Sequence, residues 1–151
     1  MHKKSPFDLS GGQKRRVAIA GVVAMNPEIL ILDEPMAGLD PKGRAEILSN
    51  ITQMHQKLGI TIILVSHSME EIADSVERLV VVNDAHIPMD GTPREGFSHG
   101  EELEAMGLAI PQVTRIFRRL KELGLPVDAS VYTTAQAVQV LEALKGGGAA
   151  C

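Results

Sequence analysis

The sequence contains few aromatic residues and one cysteine, and each shortage excludes a class of protein. It has three phenylalanines, one tyrosine and no tryptophan, so the base-stacking platforms of single-stranded nucleic-acid-binding proteins are not expected. Cys151 is the one cysteine, which excludes an intramolecular disulfide and fits a reducing compartment.

Long apolar runs and an excess of positive charge are also missing. The longest apolar runs, such as ITIILV at residues 60–65, are far shorter than the roughly 20 residues that span a bilayer. The first eight residues, MHKKSPFD, contain no signal-peptide apolar region. With 19 acidic and 15 basic residues the net charge is −4, so no nucleic-acid partner is predicted. If the protein functions at a membrane, we therefore expect it to act from the membrane surface, without crossing the bilayer.

Two helices with clear ends are predicted in the first half of the chain. The chain has 151 residues, which is enough for one domain with a hydrophobic core. Ser10 can cap a helix over residues 11–25, which the Asn-Pro pair at 26–27 ends. Asp40, followed by proline, starts a second helix that Gly59 ends. Its apolar face is expected to hold Ile47, Ile51, Met54 and Leu58.

Three apolar runs predict strands. They cover residues 29–32, 60–65 and 78–82. The first is expected to be buried, and the second is continuously apolar, as in strands covered on both faces. Residues 85–91 follow as a hairpin partner that Pro88 confines to an edge, and Ser68 with Glu71 predicts a capping box for a short helix. Strands alternating with helices predict an α/β fold with a parallel sheet and right-handed crossovers.

From about residue 93 the pattern becomes helical. One apolar stripe, ended by Gly124, consists of Val113, Ile116, Phe117, Leu120 and Leu123. A last helix is predicted to be capped by Thr133, with Gln136 three residues on. Gly96 falls where a helix leading into this extension is expected, although glycine weakens a helix by ~1 kcal/mol relative to alanine. We predict two domains, at residues 1–92 and 93–151.

The stretch LSGGQ at residues 9–13 stands directly before the first helix and is followed by Lys14, Arg15 and Arg16. The free N–H groups and the dipole already make that helix end positive, so three cations there indicate that an anion docks at this end. Two glycines allow a phosphate to approach the backbone closely, and Ser10 offers a hydroxyl donor. A glycine-rich turn with solvated cations is the alternative interpretation.

Two acids, Asp33 and Glu34, end the strand in the stretch ILILDEP. In phosphoryl-transfer ATPases an Asp at such a place holds Mg²⁺, and an adjacent Glu can orient or deprotonate the attacking water. A polar turn at a strand end is the alternative. His67 ends the next strand, and the carboxyl ends of parallel strands share one edge. We therefore expect His67 on the same rim as the two acids, rather than in a structural role.

Four motifs, LSGGQ, ILILDEP, AGLD and SH, come in the order and at the spacings found in the C-terminal half of ABC-type ATPases, which this chain resembles over residues 9–67. The resemblance implies an incomplete P-loop NTPase sheet, with ATP and Mg²⁺ as cofactors. It implies that Ser10, Gly11 and Gly12 contact the γ-phosphate of an ATP held by an opposite subunit, with Gln13 beside them. It also implies that Asp33 is a Mg²⁺ ligand and that Glu34 is the general base. By the same resemblance, Asp40 is the acid of the D-loop at the dimer seam and His67 is the switch histidine.

The C-terminal part of the sequence narrows the resemblance. Residues 107–127 and 133–144 are similar to the C-terminal extension of the ATPases of energy-coupling-factor importers, which drive cobalt, nickel or vitamin uptake. This similarity implies a head-to-tail dimer with a second ABC ATPase subunit, identical or related, and a transmembrane coupling subunit. It also implies a peripheral position at the cytoplasmic face of the cell membrane. A generic pair of amphipathic helices is the alternative.

The sequence contains no G-x-x-x-x-G-K-[ST], the loop that supplies the backbone cradle and the lysine for the β- and γ-phosphates. By the resemblance, the strand before that loop lies in mid-sheet, between the strand that ends at His67 and the strand at residues 78–82. Its absence leaves strand edges unpaired. We therefore expect the chain to be the second half of such an ATPase, to be inactive alone, and to fold poorly, rearrange or dimerise by itself.

Two other functions are compatible with these residues. A chromosome-maintenance or DNA-repair ATPase carries the same signature, although the acidic balance and the C-terminal resemblance argue against it. The other is a short non-catalytic protein that binds a full ATPase and modulates its dimer.

Overall fold

The computed structural model describes residues 5–147 of the chain. These residues form seven α-helices, four β-strands and one short 3₁₀ turn. The first compact unit ends at Ser66 and the second begins at His67. The domain division expected at residue 92 stays a prediction.

The first unit contains two helices and a pair of parallel strands. They are α1 (Gly11–Val23), β1 (Ile29–Asp33), α2 (Pro41–Leu58) and β2 (Thr61–Val65). The register runs from Ile29 opposite Thr61 to Asp33 opposite Val65. The strand–helix–strand order read from the sequence is therefore present, with α1 two residues shorter at its C-terminal end than expected.

The core of this unit lies on one face of the β1–β2 sheet. Leu30 and Leu32 of β1 are buried in one cluster with Ile47 and Ile51 of α2. Leu58, expected on the same helix face, is instead 52% exposed. It is the last residue of α2, where the chain leaves the helix through Gly59 in the left-handed conformation at φ 66°, so that its side chain has no further turn beside it.

The opposite face of the β1–β2 sheet is exposed. Ile29 and Ile31, the alternate residues of β1, are 58% and 64% exposed, and Ile63 and Val65 of β2 are also exposed. The expectations that β1 is buried and that β2 is covered on both faces are therefore wrong in this structure. The physical reason is that α2 packs on one face only, and a strand shows alternate residues to its two faces.

The second unit begins with a short helix and an antiparallel hairpin. Its first elements are α3 (Met69–Ala73), β3 (Leu79–Asn83) and β4 (His86–Gly91). The hairpin turn places Asp84 and Ala85 at φ 47° and 60°, the two left-handed residues that match the twist of the paired strands. Among residues 5–147, β3 is hydrogen-bonded to β4 alone, and the strands form two separate two-stranded sheets. The expected third strand of the parallel sheet is therefore not found among the described residues, since β3 pairs with β4 instead. A missing strand between the strand before His67 and residues 78–82 stays a prediction.

Four helices follow the hairpin: α4 (Pro93–Ser98), α5 (Gly100–Ala105), α6 (Gln112–Glu122) and α7 (Thr134–Gly147). α4 and α5 share a hydrophobic cluster with β3, in which Phe97 is 1% and Leu103 0% exposed. A separate cluster centred on Phe117 joins α6 to α7. The extension is helical as predicted, and its first part is built onto the hairpin. Searched over residues 5–147, the helices include none that is both long and apolar enough to cross a bilayer.

Local details of this unit confirm some expectations and correct others. Thr133 and Gln136 form the predicted capping box, with the Gln136 N–H donating to Thr133 Oγ1 at 3.2 Å. Ser68 is the residue before α3 and has the extended conformation usual for a cap, but it makes no side-chain capping bond, so the predicted capping box is wrong here. Ile116 and Leu123, predicted in the apolar stripe of α6, are 56% and 62% exposed, since the cluster covers only the side of the helix that carries Phe117.

Gly96 lies in α4 where the sequence raises doubt about a helix. The helix forms because Thr92 and Glu95 make a reciprocal capping box at its start. A Cβ atom added at Gly96 would lie 2.5 Å from Leu79 Cδ2 and 3.3 Å from Met89 Sδ. The glycine therefore allows α4 to approach the β3–β4 hairpin closely, which outweighs its weak helix propensity.

Three carboxylates of the second unit have a pKa held below the ordinary value by the hydrogen bonds that they accept. They are Asp90, bonded by the Arg78 guanidinium, Glu95, bonded by Thr92, and Asp128, bonded by Ser130. Burial acts in the opposite direction on Asp74 and raises its pKa. Three groups thus favour the folded state in their charged form, and one favours it in its protonated form.

We expect the second unit to lose stability as the pH falls through the range below about 4, where carboxylates of the unfolded chain take up protons. A lowered folded pKa gives stability that is fully present above the unfolded pKa and is lost on acidification. Thermal unfolding followed by circular dichroism between pH 7 and pH 3 measures this. In the control variant Asp90→Asn, part of the pH dependence should disappear, and an unfolding temperature that rises on acidification would contradict the assignment.

Candidate functional site

The N-terminal end of α1 is held by a reciprocal cap. Ser10 Oγ accepts a hydrogen bond from the Gln13 N–H at 3.3 Å, and Gln13 Oε1 accepts one from the Ser10 N–H at 3.0 Å. The predicted cap is confirmed, and Gln13 has a structural part in it. The cap uses the third N–H of the helix, so the N–H groups of Gly11 and Gly12 stand at its open end, where no intrahelical acceptor exists.

The two glycines leave room at this helix end. A Cβ atom at Gly11 would meet nothing within 4 Å, and at Gly12 it would meet only Leu39 Cδ2, at 3.6 Å. An anion can therefore come close to the backbone N–H groups, and the helix dipole favours its charge. The donor set at this end fits a phosphate group.

A cavity of about 450 Å³ joins this helix end to the start of α2. It is lined by Ser10, Gly11, Gly12, Arg16, Gly38, Leu39, Asp40, Lys42, Gly43, Glu46 and Ile47. Asp40, thirty residues after Ser10 in the chain, caps α2 by accepting the Gly43 N–H at 2.9 Å. The structure thus brings four predicted site residues together around one cavity, and Asp40 fulfils its predicted capping role there.

Sequence reasoning did not identify the α2 residues that line this cavity. Lys42 and Glu46 belong to the first two turns of α2, after the Asp40–Pro41 helix start. The Asp40–Pro41 helix start could have indicated them. It places the first turns of α2 directly after the AGLD segment, and therefore on the same side as that segment. α1 has no acid in its first turn and a neutral cap, which leaves its end positive, whereas the Asp40 carboxylate lies at the end of α2.

The three cations after LSGGQ do not act as one group. Arg15 Nη1 donates to Pro35 O at 2.7 Å and to Ala37 O at 3.0 Å. Arg16 forms an ion pair with Glu46 of α2, and Lys14 is exposed. Arg15 and Arg16 thus have acceptors within the chain itself, and Arg16 also lines the cavity. The expectation that the three cations stand there for an anion stays a prediction.

Asp33 and Glu34 lie at the end of β1, as predicted. Asp33 is the last residue of the strand and is exposed. Glu34 continues the ladder by one bond, from its N–H to Val65 O at 2.9 Å, and then turns the chain with φ 45°. A left-handed glutamate is strained by roughly 1–3 kcal/mol, so the second acid stands at the point where the chain leaves the strand.

The acids are not part of a larger ligand cluster. Across residues 5–147 no group of three His, Cys, Asp or Glu side chains could hold a metal ion. Mg²⁺ is commonly bound in proteins through one or two carboxylates together with substrate phosphates and waters. The donor set at Asp33 therefore fits Mg²⁺ that arrives with a nucleotide.

His67 is the first residue of the second unit and follows β2 by two residues. Its side chain is exposed. A position on the same rim as Asp33 and Glu34 stays a prediction.

Comparisons with known proteins agree on one family. A family model described as ABC transporter matches residues 1–37. An energy-coupling factor transporter ATP-binding protein, EcfA2 of Clostridium perfringens, is 55% identical over 138 residues, which are 91% of this chain and 48% of that protein. EcfA2 of Caldanaerobacter subterraneus is 53% identical over 144 residues, 95% of this chain and 50% of that protein. The chain spans about half the length of the curated relatives it matches.

A solved structure agrees with the sequence comparisons. CbiO1 of Clostridium perfringens, described as part of the ABC transporter complex CbiONQ, matches with a TM-score of 0.62 and 38% sequence identity. The match covers 80% of this chain and 44% of that one. At this identity both the fold and the sequence support the same relationship.

Proposed function

Since this chain belongs to the ABC transporter ATPases and corresponds to their C-terminal region, we propose that it supplies one side of a composite ATP site in an importer of the energy-coupling-factor type. The other side, with the phosphate-binding loop, comes from a second ATPase subunit in a head-to-tail pair. The observation that carries this proposal is the cavity that unites Ser10, Gly11 and Gly12 with Asp40.

In this function the residues of α1 bind the end of a triphosphate. Ser10 and the N–H groups of Gly11 and Gly12 donate to the γ-phosphate oxygens, and Asp40 lines the seam where the second subunit enters. Asp33 would hold Mg²⁺, Glu34 takes the proton of the attacking water, and His67 donates to the γ-phosphate. Mg²⁺, when bound with ATP, neutralises charge on the phosphate oxygens.

The relatives' names support the partners of this function. They are ATP-binding proteins of energy-coupling factor transporters, and the solved relative is part of a transporter complex. We therefore place the chain at the cytoplasmic face of a membrane, against a second ATPase subunit and a transmembrane coupling subunit. The relatives at 53–55% identity are named as transporter proteins, which favours a function in transport over one in DNA repair.

The test is a pairing experiment with one disabled partner. The full chain is mixed with an energy-coupling-factor ATPase that carries G-x-x-x-x-G-K-[ST] but has a disabled signature, and ATP-dependent association and phosphate release are measured. The wild-type chain should restore both. Gly12→Asp should lower both at least tenfold, because an aspartate near the start of α1 suits the helix but repels a phosphate there.

The control is Gly21→Asp, which adds the same charge at the other end of the same helix, where the dipole makes it cost about 0.3–1 kcal/mol of stability. A Cβ atom at Gly21 meets nothing within 4 Å, and the residue does not line the cavity. This variant should restore association like the wild type. Equal behaviour of the two variants, or a wild-type chain that does not associate with the partner in ATP, would contradict the proposed function.

A further inference from the structure

Arg15 makes a contact that no phosphate-binding role explains. Its Nη1 atom donates to two carbonyl oxygens, Pro35 O at 2.7 Å and Ala37 O at 3.0 Å. Both acceptors belong to the loop between β1 and α2, about twenty residues further along the chain. Hydrogen bonds from a charged donor are stronger than those between neutral groups, so this one side chain fixes the loop to α1.

The loop that Arg15 holds is a pair of tight turns. The Ala37 N–H donates to Glu34 O at 3.2 Å, and the Leu39 N–H donates to Met36 O at 3.2 Å. Gly38 supplies the left-handed residue, at φ 72°. The loop is thus short and internally hydrogen-bonded, and the carbonyls that Arg15 binds are not used by either turn.

The two ends of the loop are both proposed site residues. Glu34 enters it in the left-handed conformation at φ 45°, and Asp40 leaves it as the cap of α2. Arg15 itself lies five residues after Ser10 within α1, less than two helical turns from the phosphate end. One guanidinium therefore connects the phosphate-binding end to the segment that carries the proposed base.

We propose that Arg15 is a positioning residue that ties the loop over residues 35–39, and with it Glu34 and Asp40, to the helix whose end receives the γ-phosphate. The proposal rests on the proposed function and adds to it a coupling within one subunit. A shift of α1 on contact with phosphate is passed through Arg15 to the loop. Arg16, which pairs with Glu46, connects the same helix to α2 instead.

The experiment uses the pairing assay with Arg15→Ala and Arg15→Lys in the full chain. A positioning role predicts that Arg15→Ala lowers kcat roughly tenfold or more, while the KM for ATP and ATP-dependent association change less than about twofold. Arg15→Lys keeps a charged donor but loses the planar fork, so it should fall between the alanine variant and the wild type. Arg119→Ala, which removes an exposed arginine from α6, is the control and should leave all values unchanged.

A second measurement does not depend on turnover. Hydrogen exchange of the Ala37 and Leu39 amides should become faster in Arg15→Ala, while the amide of Gln13 keeps its protection. If Arg15→Ala does not fold, the same two measurements on Arg15→Lys decide.

Two results would overturn the inference. The first is that Arg15→Ala changes neither kcat nor the hydrogen exchange of the loop amides. The second is that it weakens association and raises KM by as much as it lowers kcat, which would mean that Arg15 contacts the phosphate directly. Failure of the wild-type chain to associate in ATP concerns the proposed function alone.

Discussion

Replacement of Glu34 by Gln is expected to lower ATP turnover of the paired subunits by about 10²–10⁴-fold, the usual contribution of a general base, while ATP-dependent association is kept. Gln has the size of Glu and the same backbone demands, so the left-handed turn at residue 34 and its N–H bond to Val65 O are preserved. What is lost is the ability to take a proton from the attacking water. Phosphate release measures turnover, and size-exclusion chromatography with and without ATP measures association.

The matched control is Glu28→Gln, one residue before β1 at the other end of the same strand. Glu28 is exposed, and only its backbone carbonyl takes part in the sheet, accepting the Thr61 N–H at 3.0 Å. The same chemical change there should leave turnover unaffected. Turnover that survives Glu34→Gln would show that the base is a different residue.

The second large effect is expected from residue 96. Gly96→Val should lower the free energy of unfolding of the second unit by about 3 kcal/mol, the upper range for overpacked cores, because even a single Cβ atom there lies 2.5 Å from Leu79 Cδ2. Gly96→Ala should cost less, since alanine recovers ~1 kcal/mol of helix propensity. Urea unfolding followed by circular dichroism gives both values.

A double-mutant cycle identifies the clash itself. Leu79→Ala removes the obstructing methyl group, so Gly96→Ala in that background should be nearly neutral or stabilising, and the coupling between the two positions should be about 1 kcal/mol or more. Gly21→Ala, on α1 where no atom lies within 4 Å, is the matched glycine replacement and should be stabilising. Additive effects at residues 79 and 96 would contradict the packing explanation.

The helix starts could be predicted from the sequence because they depend on near neighbours. Ser10, Asp40 and Thr133 each precede a helix and accept the backbone N–H three residues on, a contact that the local pattern specifies completely. Ser68 has the same pattern but no capping bond. Nothing in the structure explains this difference, since the six-residue helix α4 does form its capping box.

Strand burial could not be predicted in the same way. Ile29 and Ile31 belong to an apolar run that is typical of a strand covered on both faces, yet they are more than half exposed. An apolar run indicates which faces of a strand can be buried. Whether a face is buried depends on which helices or strands pack against it. The same reasoning applies to β3, whose pairing with β4 alone among the described residues depends on which other strands are available.

At the candidate site the motifs identified the residues but not their contacts. Ser10 and Asp40 were singled out separately, and their common cavity follows from how α1 and α2 pack. The separate partners of Arg15 and Arg16 were not predicted, because adjacent residues of a helix point in different directions. Their acceptors, Ala37 O and the Glu46 carboxylate, lie 22 and 30 residues away, a distance over which a local pattern carries no information.

The Asp40 carboxylate both caps α2 and lines the cavity, which has a consequence for genetics. A mutational scan scored by cell growth would reject most codons at position 40, for a folding reason in some cases and a catalytic reason in others. Asparagine is the informative exception, because it keeps the capping oxygen but not the charge. The growth of a strain carrying Asp40→Asn, set beside that of a strain carrying Asp40→Ala, therefore separates the selection for a stable helix from the selection for activity at this codon.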